Sequence, residues 1–434
     1  MTPPGRDAPP RIASVDVFRG LVLLLLIPNV NGGFSFHQMA ERFPDSEIWG
    51  FLGKQFSHAE WTGTTVWDLV MPAFVFLIGV AMPLSYAARR RRGDSHAQCT
   101  THALLRAVAL FLLGGMLLIP IQSRGDLPWP LLPLAVALPV PRWVARAVRR
   151  DVPEVRERIR VAWWILVLSG SALWLGLNVD RMGNYDLAHL LLQVGLAYPL
   201  AYSVIDRSVR VQAVVAFTLL LVVWLAFALY PAPTPGLAAH WDKATNLAAD
   251  FDRWFLNQLP RSEPHLSNAH GYQTLNFVPL VATMIFGILA GRALASRRSG
   301  VTIRNGLALA GLSALAAAWL SGLGCPIIKS LWTPSWTVFS TGWVLLILAA
   351  CHHMCDVKGH VRWAQFLVVL GSNSILMYVL ASSYRGWMLT YWQRILPQGW
   401  FAGDFGPLIE SLLFLGSLWM VAFVLYRKQV FIRI

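Results

Sequence analysis

FSHAEWTGTTVWDLVMPAFVFLIGVAMPLS, residues 56–85, sets a histidine at the mouth of an apolar run and an aspartate inside it. The run has the character of a membrane-spanning helix, and an ionisable residue within such a helix is expensive enough to mark a functional site. His58 precedes the apolar residues, so it is expected near the water interface, whereas Asp68 is expected at a depth where hydrocarbon surrounds the helix. On a straight helix, positions ten apart lie on different faces and ~15 Å apart along the axis. The spacing therefore predicts that the two side chains do not touch. Asp68 must then find its donors elsewhere, and the amides at the outer end of the first span are the expected source.

The composition places this stretch in a larger membrane protein. Of 434 residues, 56% are hydrophobic and only 13% charged, with a mean hydropathy of +0.52; soluble domains average about 25% charged residues. The chain is expected to be all-α and polytopic, a single domain over 1–434. Its net charge of +14 comes from arginines grouped in short stretches between apolar runs, without interleaved stacking aromatics. That pattern fits a positive-inside signature and not a nucleic-acid partner. The first sixteen residues lack an apolar signal core, so both termini are expected in the cytoplasm after a flexible lead over 1–10.

Apolar run lengths predict about 12 spans, near residues 17–33, 61–86 (after a polar outer loop over about 34–60), 104–120, 128–141, 161–178, 186–205, 211–230, 275–294, 305–324, 334–352, 364–383 and 407–426. The run Arg89 to Arg92 anchors the second span in the cytoplasm, which turns His58 outward. Asp16 and Arg19 stand at the cytoplasmic entrance of the first span, as an interfacial ion pair or as ligand-binding residues. The outer end of that span is broken by Pro28, Asn29, Asn31 and two glycines. Broken backbone at membrane depth survives where it is buried in protein or lines a wet cavity. An external loop over 231–272, rich in proline and tryptophan, is either a lid over an outward-facing pocket or a solvated loop.

Soluble-enzyme templates fail: the chain has no GxSxG elbow, Walker loop or HExxH. Four cysteines imply no disulfide framework. In CHHMC, from Cys351 to Cys355, adjacent histidines cannot both face one metal from a regular helix, so no metal is expected. Polar residues gather instead in GYQTLNFVP (271–279, with Asn276), CPIIKSLWTPSW (325–336, with Lys329, Trp332 and Ser335) and GSNSILMYV (371–379, with Asn373). Lys329 beside Trp332 suits an anionic ligand or a lipid headgroup, and Asn276 and Asn373 suit ligand contacts or inter-helix hydrogen bonds.

These motifs together resemble the transmembrane acyltransferases typified by heparan-α-glucosaminide N-acetyltransferase and its bacterial homologues. The resemblance rests on SVDVFRG (14–20), the H-x-x-W-x-G-x-T-x-x-D pattern from His58 to Asp68, K-x-LWT-x-S from Lys329 to Ser335, and GSNSILMY (371–378), in the family's order over most of the chain. It implies an enzyme of the bacterial inner membrane that takes an acetyl group from cytoplasmic acetyl-CoA and passes it to an amine or hydroxyl of a sugar or glycan acceptor outside. No metal is involved, and a homodimer is possible. The family's catalytic histidine falls on His58, next to Trp61 of the same motif. Its asparagine at the end of the first span falls on Asn29 or Asn31. The sequence departs from the family at Thr62, at LLLQVG (190–195), which lacks an arginine, and at GYQTLN (271–276). Residues 121–180 look like a two-span insertion into a ten-helix core.

Imidazole has the proton affinity to take the acceptor's proton, or to carry the acetyl group itself. His58 is the expected catalytic residue, with Asn29 or Asn31 donating to the oxyanion and Asp68 either bracing helices or taking part in catalysis. On spacing alone, His58 would be an interfacial histidine bonded to a loop. Arg19 and Arg106 are placed by topology to meet CoA phosphates, and Lys329 to meet the pantetheine end or the acceptor. A permease for a sugar or lipid-linked glycan is the alternative from another class.

Overall fold

A computed structural model of the chain describes residues 12–29, 33–119, 129–132, 153–182, 185–232, 236–261 and 263–432. Every regular element among them is helical. The longer helices are α1 (Ala13–Leu26), α2 (Phe36–Arg42), α3 (Glu47–Gln55), α4 (Val70–Arg91), α5 (His96–Leu117), α6 (Pro153–Leu177), α7 (Leu190–Tyr202) and α8 (Val209–Ala228). They continue with α9 (Leu247–Leu256), α10 (Phe277–Leu294), α11 (Gly300–Ser321), α12 (Pro334–His352), α13 (Gln365–Gly371), α14 (Ser374–Ile395) and α15 (Gly406–Arg427).

Among the described residues, seven helices are long and apolar enough to cross a membrane. They become eight if α13 and α14, bent by 67° at their junction, form one broken span. This makes the chain an integral multi-pass membrane protein, and of the expected count of about 12 spans the described residues supply seven or eight by length and hydropathy. The first span is a helix of 14 residues that ends at Leu26, seven residues before the expected limit, and α7 has only 13. At 1.5 Å per residue neither covers a ~30 Å hydrocarbon core alone. Of the segment 128–141 only Trp129 to Leu132 are described, as are only 153–182 of the later part of the insertion; the lead over 1–10 and both chain ends lie outside the described residues.

Local chemistry sets where the helices begin. Ser95 caps α5 by accepting from the Gln98 amide at 3.1 Å, while the Gln98 side chain accepts from the Ser95 amide at 2.7 Å. This reciprocal box satisfies two of the donors left open at a helix start. At α12, Thr333 caps the Trp336 amide at 3.3 Å and Pro334 occupies the first turn, where its missing N–H does no harm.

Close backbone approach organises the core. A Cβ at Gly20 of α1 would stand 2.0 Å from the Leu367 carbonyl oxygen of α13, and one at Gly371 would stand 2.2 Å from the Asp16 carbonyl oxygen. Only glycine permits that contact, which seats α13 directly on α1. Small residues let helices meet in lipid, where no hydrophobic drive joins one apolar face to another. Phe18, Leu26, Phe76, Leu110 and Trp336 are fully buried in the resulting core.

The loop over 231–272, expected outside the membrane, carries helical structure of its own. It contains a short turn of helix, Leu237–Trp241, and α9. Trp241 is buried and stacks on Phe227 of α8 at 4.9 Å, which ties the loop to the bundle.

Candidate active site

The run to His58 leaves α3 at Gln55 and does not become helical again until Trp67. Residues 57–66 are therefore a loop, and Asp68 lies in the single 3-10 turn, Trp67–Leu69, that opens α4. This corrects the expectation that His58 and Asp68 stay apart. The argument from helical spacing assumed a helix where Trp61-Thr62-Gly63-Thr64 makes a bend, with Gly63 at φ +96°. The loop folds back, so His58 Nδ1 lies 2.8 Å from Asp68 Oδ1.

Asp68 organises that loop. Its Oδ2 accepts from the Ala59 amide at 3.2 Å and the Thr65 amide at 3.1 Å, with the Thr65 hydroxyl also 3.1 Å away. The carboxylate is fully buried, 0% exposed, and such a charge persists only where donors surround it. Those donors come from its own loop, not from amides of the first helix as expected.

A third group completes the cluster. Lys329 Nζ lies 3.1 Å from Asp68 Oδ1 and 2.7 Å from His58 Nδ1. The lysine is delivered by the turn before α12, in which Trp332 takes the left-handed conformation, φ 49°, and returns its amide to the Lys329 carbonyl at 2.9 Å. Backbone held in that region by a bulky residue is strained and tends to occur at functional sites. The two loops are joined directly, since the Gly63 amide donates to the Ile327 carbonyl at 3.0 Å. Lys329 was expected to meet a ligand; its ammonium lies against the buried carboxylate and compensates its charge. At 7% exposure it is largely enclosed, while the His58 side chain is 47% exposed.

This geometry divides the imidazole. His58 Nδ1 and the ammonium converge on one carboxylate oxygen; the tautomer in which Nδ1–H donates to Asp68 leaves Nε2 with its lone pair, whereas the other tautomer lets Nδ1 accept from Lys329. Nε2 is 3.5 Å from Lys329 Nζ. A ring held from behind and open in front is suited to proton transfer or nucleophilic attack.

The walls come from the folded loop and from aromatic packing. Tyr272 places its ring under Lys329 Nζ at 5.6 Å, and Trp61 donates its indole N–H to the Trp241 carbonyl at 3.0 Å. Gly271, at φ +74°, passes so near Trp61 that a Cβ would stand 2.4 Å from the indole ring. Asn276 donates to the Ser330 carbonyl at 2.6 Å, holding the start of α10 to the lysine's turn. The segment GYQTLN, where this sequence departs from the family pattern, thus lies directly against the cluster.

Other sequence-predicted residues are placed elsewhere. Ser335 bonds to the Pro326 carbonyl at 2.9 Å and Trp332 to Thr283 at 3.2 Å, so both shape the lysine's turn. Asn373 sits at the α13–α14 break, donating to the Val430 carbonyl at 3.1 Å and accepting from the Ile432 amide at 2.7 Å. Asp16 and Arg19 pair at 3.6 Å on α1, and the Arg106 guanidinium lies 5.2 Å from the Tyr198 ring centroid. The Asn29 amide donates to Ser35 Oγ at 3.2 Å, and Asn31 lies outside the described residues. Tyr272 was not singled out from sequence, whereas Thr65 is the threonine of the motif from His58 to Asp68 and Trp241 belongs to the loop read as proline- and tryptophan-rich. Of these, Thr65 carried a local signal, a hydroxyl three residues before the aspartate.

No family model matches the chain. Among curated proteins it is 27% identical to heparan-alpha-glucosaminide N-acetyltransferase of Homo sapiens over 464 aligned residues, covering 98% of this chain and 60% of the relative. Against the protein of the same name from Mus musculus it is 23% identical over 467 residues, covering 99% of this chain and 61% of the relative. The chain thus spans about three-fifths of the length of the curated relatives it matches. Over nearly its own full length, the chain is similar to the heparan-alpha-glucosaminide N-acetyltransferases, in agreement with the motifs it carries from Ser14 to Tyr378.

Proposed function

We propose that this protein is a membrane-embedded acetyltransferase that moves an acetyl group from acetyl-CoA to an amine or hydroxyl of a sugar or glycan acceptor. The observation that carries the reading is the exposed imidazole of His58 held by buried Asp68 and Lys329 at the mouth of a membrane helix. The relatives' name supports an amino sugar as the first acceptor to test.

In the proposed reaction the acceptor's nitrogen or oxygen attacks the thioester carbonyl while His58 Nε2 takes its proton. As the tetrahedral intermediate collapses, the carbon–sulfur bond breaks and the same proton passes from Nε2 to the departing thiolate. Asp68 holds the ring and stabilises the imidazolium that forms between the two transfers, the role of a triad carboxylate. Lys329 keeps the buried carboxylate's charge compensated throughout. Transfer through an acetyl-imidazole uses the same Nε2, first as nucleophile. Asn29 or Asn31 is proposed to donate to the oxyanion, an effect worth about 3 kcal/mol in enzymes where one such donor was removed. Arg19 and Arg106 are proposed to meet the CoA phosphates, with donor and acceptor approaching from opposite faces of a bacterial inner membrane.

The test is to incubate the purified protein with isotopically labelled acetyl-CoA and a panel of amino and neutral sugars. Label should appear on an acceptor with the wild type and not with His58→Ala. Transfer by the variant at the wild-type rate would overturn the assignment. Sugar flux into vesicles without acetylation, unaffected by His58→Ala, would identify a permease.

A further inference from the structure

The loop that carries His58 hangs on α2 and α3, two short helices with a surface that the chemistry above does not use. One side of α3 packs on α2: the Trp49 and Phe36 ring centroids are 6.1 Å apart, and a Cβ at Gly53 would stand 2.7 Å from Ala40 Cβ. Phe56, which ends α3 on the same side, meets Phe36 edge-on at 4.9 Å. Ile48 and Phe51 project from another side and are 71% and 65% exposed. Glu47 and Lys54, also exposed, form a third side, ~80° around the helix from these two. Single exposed hydrophobics are ordinary, but an apolar stripe beside a charged one, on a helix already packed from behind, is the pattern of a helix lying in a membrane interface.

Two contacts fix the level of α2 and α3. The span that contains α4 begins at Trp67, and Val66 just before it is 45% exposed. The Val66 amide donates at 3.3 Å to the side chain of Gln55, one turn beyond Phe51 on the apolar side of α3. The α15 span begins at Gly406, and Phe405 just before it packs its ring 5.3 Å from Phe43, between α2 and α3. Arg42 of α2 donates to the Gly403 carbonyl of the same segment. The two helices are thus held where two membrane spans begin, and exposed Trp400 and Phe405 precede the second of them. Aromatic side chains gather at that level of a bilayer. The stripe of Ile48, Phe51 and Val66 therefore continues the lipid-facing surface of the spans, and the leaflet on that side is what covers it.

The site is coupled to this stripe. The Ser57 hydroxyl donates to the Gly53 carbonyl at 2.7 Å. The Thr65 hydroxyl, 3.1 Å from Asp68, donates to the Ser57 carbonyl at 2.7 Å. The depth of α3 in the leaflet therefore sets the depth of His58, and the exposed imidazole opens at headgroup level.

We propose that Ile48, Phe51 and Val66 insert among the acyl chains of this leaflet, and that His58 acetylates the sugar head of an acceptor anchored in the same leaflet by an apolar tail. The tail confines the head to the layer in which the imidazole works and so raises its effective concentration there. The step is the transfer already written: the head's amine or hydroxyl gains the acetyl group, the carbon–sulfur bond breaks, and the proton passes through Nε2 to the thiolate. This rests on the acyl-transfer reading and names the class of acceptor.

The test reconstitutes the full chain in vesicles of phosphatidylethanolamine and phosphatidylglycerol. Phe51→Cys is labelled with a polarity-sensitive fluorophore, and the wild type is labelled in parallel to subtract the signal of its own cysteines. Emission at position 51 should shift to the blue and be quenched by lipids spin-labelled high on the acyl chain; water-like emission without quenching would overturn the insertion. Transfer from labelled acetyl-CoA is then compared for glucosamine and for dodecyl glucosaminide, whose amine is free. The double variant Ile48→Ser with Phe51→Ser should lose about tenfold or more on dodecyl glucosaminide and stay within about twofold on glucosamine, because it removes only apolar anchorage. Its thermal midpoint shows that it is folded, and Phe51→Ser alone decides if it is not. Equal losses on both acceptors, or none on either, would overturn the proposal while leaving acyl transfer in place. A wild type that acetylates neither acceptor would remove the acyl-transfer reading and this inference with it.

Discussion

Asp68 Oδ1 receives His58 Nδ1 at 2.8 Å and Lys329 Nζ at 3.1 Å, so one oxygen of a fully buried carboxylate joins the exposed imidazole to an enclosed ammonium. The other oxygen is taken by backbone amides of the loop that carries the imidazole. Asp68 is therefore both the frame of that loop and the partner of its histidine, two roles that substitution can separate.

Asp68→Asn keeps the shape and one acceptor oxygen, which can still receive the amides of Ala59 and Thr65. It removes the charge that stabilises the imidazolium and allows the wrong tautomer of His58. Acetyl transfer should fall by on the order of 10⁴-fold, as for the equivalent change in a serine protease triad, and the thermal midpoint should fall as well, because the enclosed Lys329 ammonium loses its charged partner. Retention of more than half the wild-type rate would remove Asp68 from the chemistry.

Lys329→Met leaves the buried carboxylate short of its compensating charge. Breaking a buried pair from one side typically costs about 3–5 kcal/mol, whereas replacing both partners is far milder. Detergent unfolding should show a large loss for Lys329→Met and a smaller one for the double variant Lys329→Met with Asp68→Asn. Simple additivity of the two single losses would mean that the 3.1 Å contact carries no coupling.

The membrane class and the break after the first helix were legible in the sequence, because composition and Pro28 are local signals, and the histidine motif drew His58 out for the same reason. The contact between His58 and Asp68 was not, because the apolar run was extended backward through Thr62, Gly63 and Thr64, residues that favour a bend. Lys329 reaches His58 across 271 positions of sequence, and no local pattern announces such a meeting. The described helices alone do not make up the expected count of about 12, because α1 and α7 are short apolar helices packed within a bundle and most of 120–152 lies outside the described residues. Hydropathy alone does not distinguish these from crossings.

Gly20→Ala tests the seat of α13 on α1. The added Cβ would meet the Leu367 carbonyl oxygen at 2.0 Å, a backbone atom that no rotamer change can move. Overpacking of this kind costs about 1–3 kcal/mol or more. Gly50→Ala, in α3, meets nothing within 4 Å and serves as the control, with a slight gain expected from helix propensity. Equal thermal midpoints for the two variants would mean that α1 and α13 are not held in this contact.

Asp252 of α9, in the loop between α8 and α10, provides a pH signature. It is fully buried, its Oδ2 accepts from the Thr274 amide at 2.9 Å, and its Oδ1 has no partner among the described residues. Burial pushes its carboxyl up from the ordinary 3.8 to about 6, with nearby Asp186 adding to the rise and the Thr274 hydrogen bonds opposing it. A carboxyl whose folded value is raised favours the fold in its protonated form. Its contribution is present in full below the unfolded value of 3.8 and is lost as pH rises through about 6. The shift corresponds to at most about 3 kcal/mol between those limits. Asp252→Asn mimics the protonated state and keeps the carbonyl that Thr274 needs, so it should remove this dependence. The stabilisation of the variant over the wild type should be small near pH 4 and should grow to its full size by pH 7.5, as read from thermal midpoints in detergent. A difference that stays constant across that range would show that Asp252 titrates as an ordinary carboxylate.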